Sequence, residues 1–178
     1  MRISESFAHF VSDLQLEDVP CETINRSKYL ILDALGVALA ATQHDFATRT
    51  LAGFKAMSAG DSNAGKCGVI GMATRLPVRD AAAMNGVLVH GLDYDDTHMS
   101  AVVHASSVAL PAALSTGEQV NASGADMLSA YMAGMEIAIR VGDAANYGFH
   151  SNGYTLIRSW LKEKPCSKEL IDLLLTPT

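Results

Sequence analysis

The sequence predicts an all-α fold, a compact multi-helix domain, from three observations. Apolar residues recur every three or four positions over several long segments, which is the spacing of one helix face. Hydrophobic residues make up 49% of the 178-residue chain but aromatic residues only 6%, so the core must consist mainly of small and aliphatic side chains that let helices approach closely. The length suits one domain with a core of its own.

The first two predicted helices lie before residue 43. A polar start at residues 4–6 can cap the first helix. Its apolar positions recur at helical spacing: Ile3, Phe7, Phe10, Val11 and Leu14. The second helix covers residues 23–42 and has few charges in its second half, so we expect it to be largely buried. Its apolar face consists of Ile24, Ile31, Leu35, Ala38 and Leu39.

A third helix and a glycine-rich connector follow. We expect Asp45 to cap a helix over residues 46–57, which ends before the glycine-rich stretch. The fragment CGVIG at residues 67–71 is compatible with a short strand or an extended connector. Because its glycines lack the spacing of a phosphate-binding loop and no Lys-Ser/Thr pair follows, the stretch is interpreted as a connector.

Two further helices flank a polar segment. Pro77 opens a helix over residues 76–93, which carries an asparagine and a histidine towards its end. Residues 105–120 are apolar and helix-like, and Pro111 within them predicts a kink or a late start of that helix.

The last and strongest helical pattern covers residues 123–146, with Ser123 or Asp126 near its cap. Its apolar positions include Leu128, Met132, Met135 and Ile139. The composition changes at about Gly153, because all 14 glycines lie at or before it and the final 25 residues contain no alanine. We therefore predict a helical domain over residues 1–153 and a divergent tail over residues 154–178.

Charge and cysteine content exclude several classes of protein. A net charge of -6 without a basic stripe argues against a nucleic acid or an anionic membrane as partner. The three cysteines are widely separated and form no C-x-x-C pair, so neither a disulfide framework nor a cysteine zinc site is expected. With no signal-like N-terminus and no apolar run of about 20 residues, we expect a cytoplasmic protein, or a mitochondrial-matrix protein if the source is eukaryotic.

The segment HGLDYDDTHMSAVVH, residues 90–104, contains three aspartates and three histidines. A calcium loop is rejected because the central glycine and terminal glutamate are missing. An aspartate-rich magnesium helix would need an acidic residue where Met99 stands. Zinc binding by His90, His98, His104 and an aspartate is conceivable, but no spacing of the H-E-x-x-H kind fixes the ligands. We predict no metal, and a metal-dependent helical enzyme stays an alternative.

Two other interpretations of this segment remain open. Asp95, Asp96 and Thr97 can form turns by bonding nearby backbone N–H groups. Alternatively, a histidine with a near-neutral pKa can move a carbon-bound proton while a carboxylate orients the ring or the substrate. Asp93 and His104 are then the natural pair to test. The Thr97 hydroxyl can donate to a substrate carboxylate without changing its charge.

A second candidate lies in GFHSNG, residues 148–153. The glycines on both sides allow a turn that brings His150 back against another element. A surface histidine in a turn is the alternative.

Three segments together resemble the N-terminal helical domain of the MmgE/PrpD family, which includes 2-methylcitrate dehydratase, cis-aconitate decarboxylase and iminodisuccinate epimerase. They are MNGVLVHGLDYDDTH, HASSVALPAALS and SGADMLSAYMAGMEIAIRVG. The match runs from about residue 7 to 153. It implies a lyase, a dehydratase or decarboxylase, that acts on a small di- or tricarboxylate such as 2-methylcitrate or cis-aconitate. It also implies that no cofactor is needed and that the protein is a homodimer.

By motif position, the resemblance assigns residue roles. Asp93 and Thr97 match substrate-binding residues of the family, and His104 matches a catalytic histidine after a loop about one residue longer than usual. His150 occupies the first of two histidine positions in a later family motif, whereas Thr155 stands where the second histidine would be. His150 is therefore the second catalytic candidate.

The chain stops well inside the family's helical domain, and the family's lysine and later histidine and tyrosine positions have no counterpart. We therefore expect weak or no activity from this chain, and a premature end through a reading-frame change, an alternative exon or a degenerate gene. A non-catalytic helical binding or dimerisation module is the further alternative, since such a module would tolerate loss of the later part of the family's sequence.

Overall fold

The computed structural model describes residues 2–58 and 65–145, and the mostly helical fold is confirmed. Within these residues the α-helices are α1 (Ile3–Asp13), α2 (Cys21–Ala41), α3 (Asp45–Met57), α4 (Val78–His90), α5 (Ser106–Val120) and α6 (Gly124–Ala145). A 3₁₀ turn covers Leu16–Asp18, and a hairpin is formed by β1 (Cys67–Val69) and β2 (Met72–Leu76). The predicted boundary at residue 153 and the tail lie outside the described residues. No described helix is both long and apolar enough to cross a bilayer.

Helix α4 lies at the centre of the fold. It packs against α2, α3, α5 and both strands of the hairpin, and α5 in turn packs against α6. Its Ala81, Met84 and Leu88 side chains are fully buried. Burial of a side chain as large as methionine or leucine contributes about 1.5–3 kcal/mol. The packing of α4 therefore fixes the direction in which its C-terminal residue, His90, leaves the core.

The expectation that the second helix is largely buried is wrong for one side of it. Ala34 and Ala38 of α2 are buried, but Leu39 is 52% exposed. Tyr29 and Leu32, at 67% and 66%, are exposed as well. The physical reason is that the described helices that contact α2 pack on one side of it, so apolar side chains on its other side stay exposed.

Pro111 lies inside α5, which begins five residues before it, so the predicted late start is wrong. A proline has no N–H to donate to the carbonyl four residues earlier, that of Ser107. That carbonyl packs against α4 at Gly86, where a Cβ would lie 3.1 Å from the oxygen. The proline and the glycine together allow α4 and α5 to approach closely.

The fragment CGVIG forms β1 and the turn after it, and the antiparallel partner β2 was not predicted. Gly71 in the turn has a φ of 69°, which glycine adopts without strain. The buried side chain of Asn85 in α4 holds the hairpin through two hydrogen bonds. Its Oδ1 accepts a hydrogen bond from the Ile70 N–H at 2.9 Å, and its Nδ2 donates to the Gly68 carbonyl at 3.0 Å.

The predicted helix caps have mixed outcomes. Asp45 is the first residue of α3 and not its cap, because His44 occupies the cap position without a side-chain hydrogen bond. At the start of α6, the Asp126 N–H donates to Ser123 Oγ and the Ser123 N–H donates to the Asp126 carboxylate, both at 3.1 Å. This reciprocal pair is a capping box, and it confirms the expectation that Ser123 or Asp126 lies near the cap of α6.

Candidate active site

The candidate site forms where α4 ends and α5 begins. His90 is the last residue of α4, and His104 lies two residues before the start of α5. The ring centroids of the two histidines are 4.8 Å apart, at an interplanar angle of 61°. The contact between α4 and α5 therefore brings together two side chains that are 14 positions apart in sequence.

The connecting loop folds back on itself to allow this contact. Asp93 and Val102 adopt left-handed conformations, with φ values of 56° and 52°. Between them, the His98 N–H donates to the Val103 carbonyl at 2.9 Å, and the Val102 N–H donates to the His98 carbonyl at 2.8 Å. A left-handed φ is strained for a β-branched residue such as valine, so the loop is held in place by its surroundings.

Helix α6 supplies much of that support. Gly142 packs so closely on the loop that a Cβ there would lie 2.7 Å from the Ala101 Cβ. The hydroxyl of Ser100 donates to the Asp143 carboxylate of α6 at 2.8 Å. The position of the loop therefore depends on α6 as well as on α4 and α5.

Two hydrogen bonds fix the segment at the start of α5. The Ser107 hydroxyl donates to the His104 carbonyl at 2.7 Å. The Ser106 hydroxyl and the Tyr131 hydroxyl, both buried, are 2.7 Å apart and link α5 to α6. Burial raises the pKa of Tyr131 to about 12, so this phenol stays neutral. The backbone that carries His104 is thus held on two sides.

Asp95 is the buried centre of the site. Nδ1 of His90 donates to its Oδ1 at 3.0 Å, and Nδ1 of His104 lies 3.3 Å from the same oxygen. The Asp95 side chain is fully shielded from solvent, and the His104 side chain is 19% exposed. The sequence interpretation placed Asp95 in a turn and gave it no part in the site. Nothing in the spacing of the segment distinguished it from Asp96.

The charges in this cluster stabilise one another. Burial alone would raise the pKa of Asp95, but its hydrogen bond with His90 and the nearby charges of His90 and His104 outweigh that effect and lower it. The hydrogen bond with Asp95 raises the pKa of His90 against the opposing effect of burial. The structure therefore favours an ionised Asp95 next to a protonated His90.

The three residues proposed from the loop motif come together. Oδ1 of Asp93, whose side chain is half-exposed, lies 3.9 Å from Nε2 of His104. The Thr97 hydroxyl lies 3.4 Å from Nδ1 of His104. Whether these residues have the predicted catalytic and substrate-binding roles stays a prediction. His150, the other catalytic candidate, lies outside the described residues.

Four groups of the site have the chemistry of metal ligands. His90, Asp93, Asp95 and His104 each offer one ligand atom, and these atoms lie within 4.8 Å of one another. Two imidazoles and two carboxylates suit a borderline ion such as Zn²⁺. However, His90 and Asp95 already bind each other, so the cluster can also be complete as an acid/base network. His98, the other histidine of the segment, accepts the Ala101 N–H at 3.4 Å and organises the loop.

Comparison with known proteins identifies relatives. A family model described as the MmgE/PrpD N-terminal domain matches residues 5–160. The cis-aconitate decarboxylase of Aspergillus terreus is 28% identical over an alignment of 159 residues that covers 83% of this chain and 32% of that protein. The mouse cis-aconitate decarboxylase is 34% identical over an alignment of 144 residues that covers 78% of this chain and 28% of the mouse protein. The human enzyme of the same name is 33% identical over 144 residues. The chain thus spans about a third of the length of these curated relatives.

Proposed function

Because the chain belongs to the MmgE/PrpD family, we propose that its site carries out proton transfer in a lyase reaction on a small di- or tricarboxylate. The observation that carries the proposal is the convergence of Asp93, Thr97 and His104 beside the buried carboxylate of Asp95. One face of this cluster is accessible, since the Asp93 side chain is 50% exposed. A substrate can therefore reach the imidazole of His104 from the side on which Asp93 lies.

Each of the three side chains has a distinct task in this proposal. His104 takes a proton from a carbon next to a carboxylate, or returns one to it. The Thr97 hydroxyl donates a hydrogen bond to a substrate carboxylate. The Asp93 carboxylate accepts a hydrogen bond from the protonated imidazole or positions the substrate. In a decarboxylation, the bond to the departing CO₂ breaks, its electron pair remains on the substrate carbon, and the imidazolium protonates that carbon.

We take cis-aconitate as the first substrate to test, because the relatives carry the name cis-aconitate decarboxylase; 2-methylcitrate is the second. We expect weak or no turnover by the 178-residue chain alone. The described ionisable groups of the site are two carboxylates and two imidazoles, so further cations would be needed to neutralise a substrate with two or three negative charges.

The test combines binding with turnover. Titration of the isotope-labelled chain with cis-aconitate should shift the NMR signals of Thr97 and His104, and Thr97→Val or His104→Ala should weaken binding. His9→Ala, which removes an exposed histidine from α1, is the matched control and should bind like the unchanged chain. Absence of any shift at saturating cis-aconitate and 2-methylcitrate would contradict the proposed substrate class. Rapid formation of product would contradict the expected weak activity.

A non-catalytic binding or dimerisation module is the alternative favoured by a different observation. An open groove of about 480 Å³ runs between α5 and α6 and is lined mainly by small apolar residues. Val108 and Val120 at this groove are 68% and 66% exposed. If this module is the function, the chain should form an oligomer in light scattering, and His104→Ala should leave every interaction unchanged. The homodimer implied by the family resemblance is a proposal tested by the same measurement.

A further inference from the structure

We propose that Asp95 is a positioning residue that fixes the tautomer of His104, with the proton on Nδ1 and the lone pair on Nε2. This inference rests on the proposed function and deepens it, since a neutral imidazole acts as a base through the nitrogen that carries the lone pair. Nε2 is the nitrogen of His104 on the side of the half-exposed Asp93. Asp95 thereby directs the basic atom towards the side from which a substrate arrives.

His104 and Asp95 make an ion-pair contact in the cluster, whereas His90 and Asp95 are hydrogen-bonded. Nδ1 of His104 lies 3.3 Å from Oδ1 of Asp95, an oxygen that also accepts the His90 hydrogen bond. A lone pair on Nδ1 would face an anionic oxygen at this distance, whereas an N–H would be attracted to it. The contact therefore favours a proton on Nδ1.

Two neighbours could oppose or replace this effect. The Thr97 hydroxyl, 3.4 Å from Nδ1, can donate or accept, so it selects neither tautomer. Asp93 favours a proton on Nε2, but its oxygen is 3.9 Å away and its side chain is 50% exposed, whereas that of Asp95 is fully shielded. With an effective dielectric constant of about 20 near Asp95 and about 80 near Asp93, the attraction between Asp95 and a proton on Nδ1 is about five times that between Asp93 and a proton on Nε2.

His90 completes the arrangement. Its hydrogen bond to Asp95 provides the opposite charge that a buried carboxylate needs to stay ionised. The other ionisable groups within the cluster are Asp93 from the loop and His104 itself. His90 thus balances the charge of Asp95, and His104 is left to carry out the proton transfer.

The test is the histidine nitrogen spectrum of the ¹⁵N-labelled 178-residue chain, in which Nδ1–H and Nε2–H tautomers give different shifts. We expect neutral His104 to be the Nδ1–H form. Asp95→Asn should move the tautomer population of His104 towards Nε2–H, because a neutral amide can also donate to Nδ1. The same variant should lower the pKa of His90, because it removes the carboxylate that raises it. Asp96→Asn removes the same charge from the same loop but lies outside the cluster, and it should leave both signals unchanged.

An Nε2–H form of His104 in the unchanged chain would overturn the proposal, as would a folded Asp95→Asn variant with an unaltered tautomer. Should circular dichroism show that Asp95→Asn does not fold, Thr97→Ala decides the question in the native background. It should keep the Nδ1–H form if Asp95 sets the tautomer and lose it if the hydroxyl does. These readouts need no substrate, so a failure to bind cis-aconitate would count against the proposed function and not against the tautomer.

Discussion

Gly142 of α6 contacts Ala101 of the site loop so closely that a Cβ on the glycine would be 2.7 Å from the alanine Cβ and 2.9 Å from its carbonyl oxygen. Real Cβ atoms do not approach other atoms to this extent, so any larger residue at position 142 must push the loop away. The same loop leads directly into His104. The contact couples the packing of α6 to the geometry of the candidate site.

Gly142→Ala should therefore both destabilise the protein and disturb the site. Overpacking of this kind costs about 1–3 kcal/mol, measurable as a lower free energy of unfolding in urea. The NMR signals of His104 should shift in the same variant. Gly36→Ala is the matched control, because nothing lies within 4 Å of a Cβ at that position inside α2. It should stabilise the chain by up to about 1 kcal/mol through helix propensity and leave the NMR signals of His104 unchanged.

Asn85→Ala should release the hairpin from α4. The substitution removes both hydrogen bonds of the buried amide and leaves the Ile70 N–H and the Gly68 carbonyl without it. Both backbone groups are part-buried, so the loss of each partner should cost up to about 1–3 kcal/mol, the range for a buried group. Hydrogen exchange should show faster exchange at the Ile70 amide, beyond what the global loss of stability explains.

Asn25→Ala is the control for that variant, since Asn25 is exposed on α2 and its amide donates to the Cys21 sulfur at 3.8 Å. It should change the free energy of unfolding by less than about 0.5 kcal/mol. Amide hydrogen exchange in the hairpin should stay the same. Equal protection of Ile70 in Asn85→Ala and in the unchanged chain would contradict the assigned role of Asn85.

The helices could be predicted from the sequence because each one depends on a local pattern. Three-to-four-residue spacing of apolar side chains predicted α1, α2 and α6, and Ser123 or Asp126 was expected near the cap of α6. Local boundary signals such as Pro77 and the glycine-rich stretch, or a generally apolar composition, predicted α3, α4 and α5. The strand β2 was missed for the opposite reason. Its stability depends on pairing with β1, and Asn85 of α4 holds β1 and the turn through Gly68 and Ile70.

The candidate site likewise has residues that a local motif predicts and a residue that only tertiary contacts reveal. Asp93, Thr97 and His104 could be named from a motif, but nothing in the spacing distinguished Asp95 from Asp96. The difference between them is burial: Asp95 is 5% exposed and lies between His90 at the end of α4 and His104 just before α5. The convergence of α4 and α5 depends on Gly86 and on two left-handed residues of the loop, features that become visible only in three dimensions.

The stability contributed by the His90–Asp95 pair should depend on pH. The pKa of His90 is raised above 6.5, so its contribution is fully present below that value and is lost as pH rises through the folded-state pKa. The pKa of Asp95 is lowered below 3.8, so its contribution is present above that value and is lost as pH falls through the folded-state pKa. The pair should contribute most between about pH 4 and 6.5.

A double-mutant cycle with His90→Gln and Asp95→Asn measures this contribution by urea unfolding. The coupling free energy should be larger at pH 5.5 than at pH 9, because the contribution of His90 is lost as pH rises through its raised folded-state pKa. The exposed Asp45–Arg49 pair, at 3.9 Å, supplies the control cycle. Its coupling should be below about 1 kcal/mol and equal at both values of pH. A His90–Asp95 coupling that is the same at pH 5.5 and 9 would contradict the assignment of charge to His90.

Removal of divalent metal should leave the protein unchanged if the four clustered side chains form an acid/base network. A folded state held by a bound ion gains about 2.7 kcal/mol at a free ion concentration 100 times the dissociation constant, so a chelator would then lower the thermal midpoint visibly. We expect no change in that midpoint with chelator, and no binding heat with magnesium or zinc in calorimetry. Zinc binding would also have to displace the proton that His90 shares with Asp95, and would therefore release protons to the buffer. Binding heat that changes with the ionisation enthalpy of the buffer, and that disappears in His104→Ala, would favour the metal-dependent alternative over the proposed proton transfer.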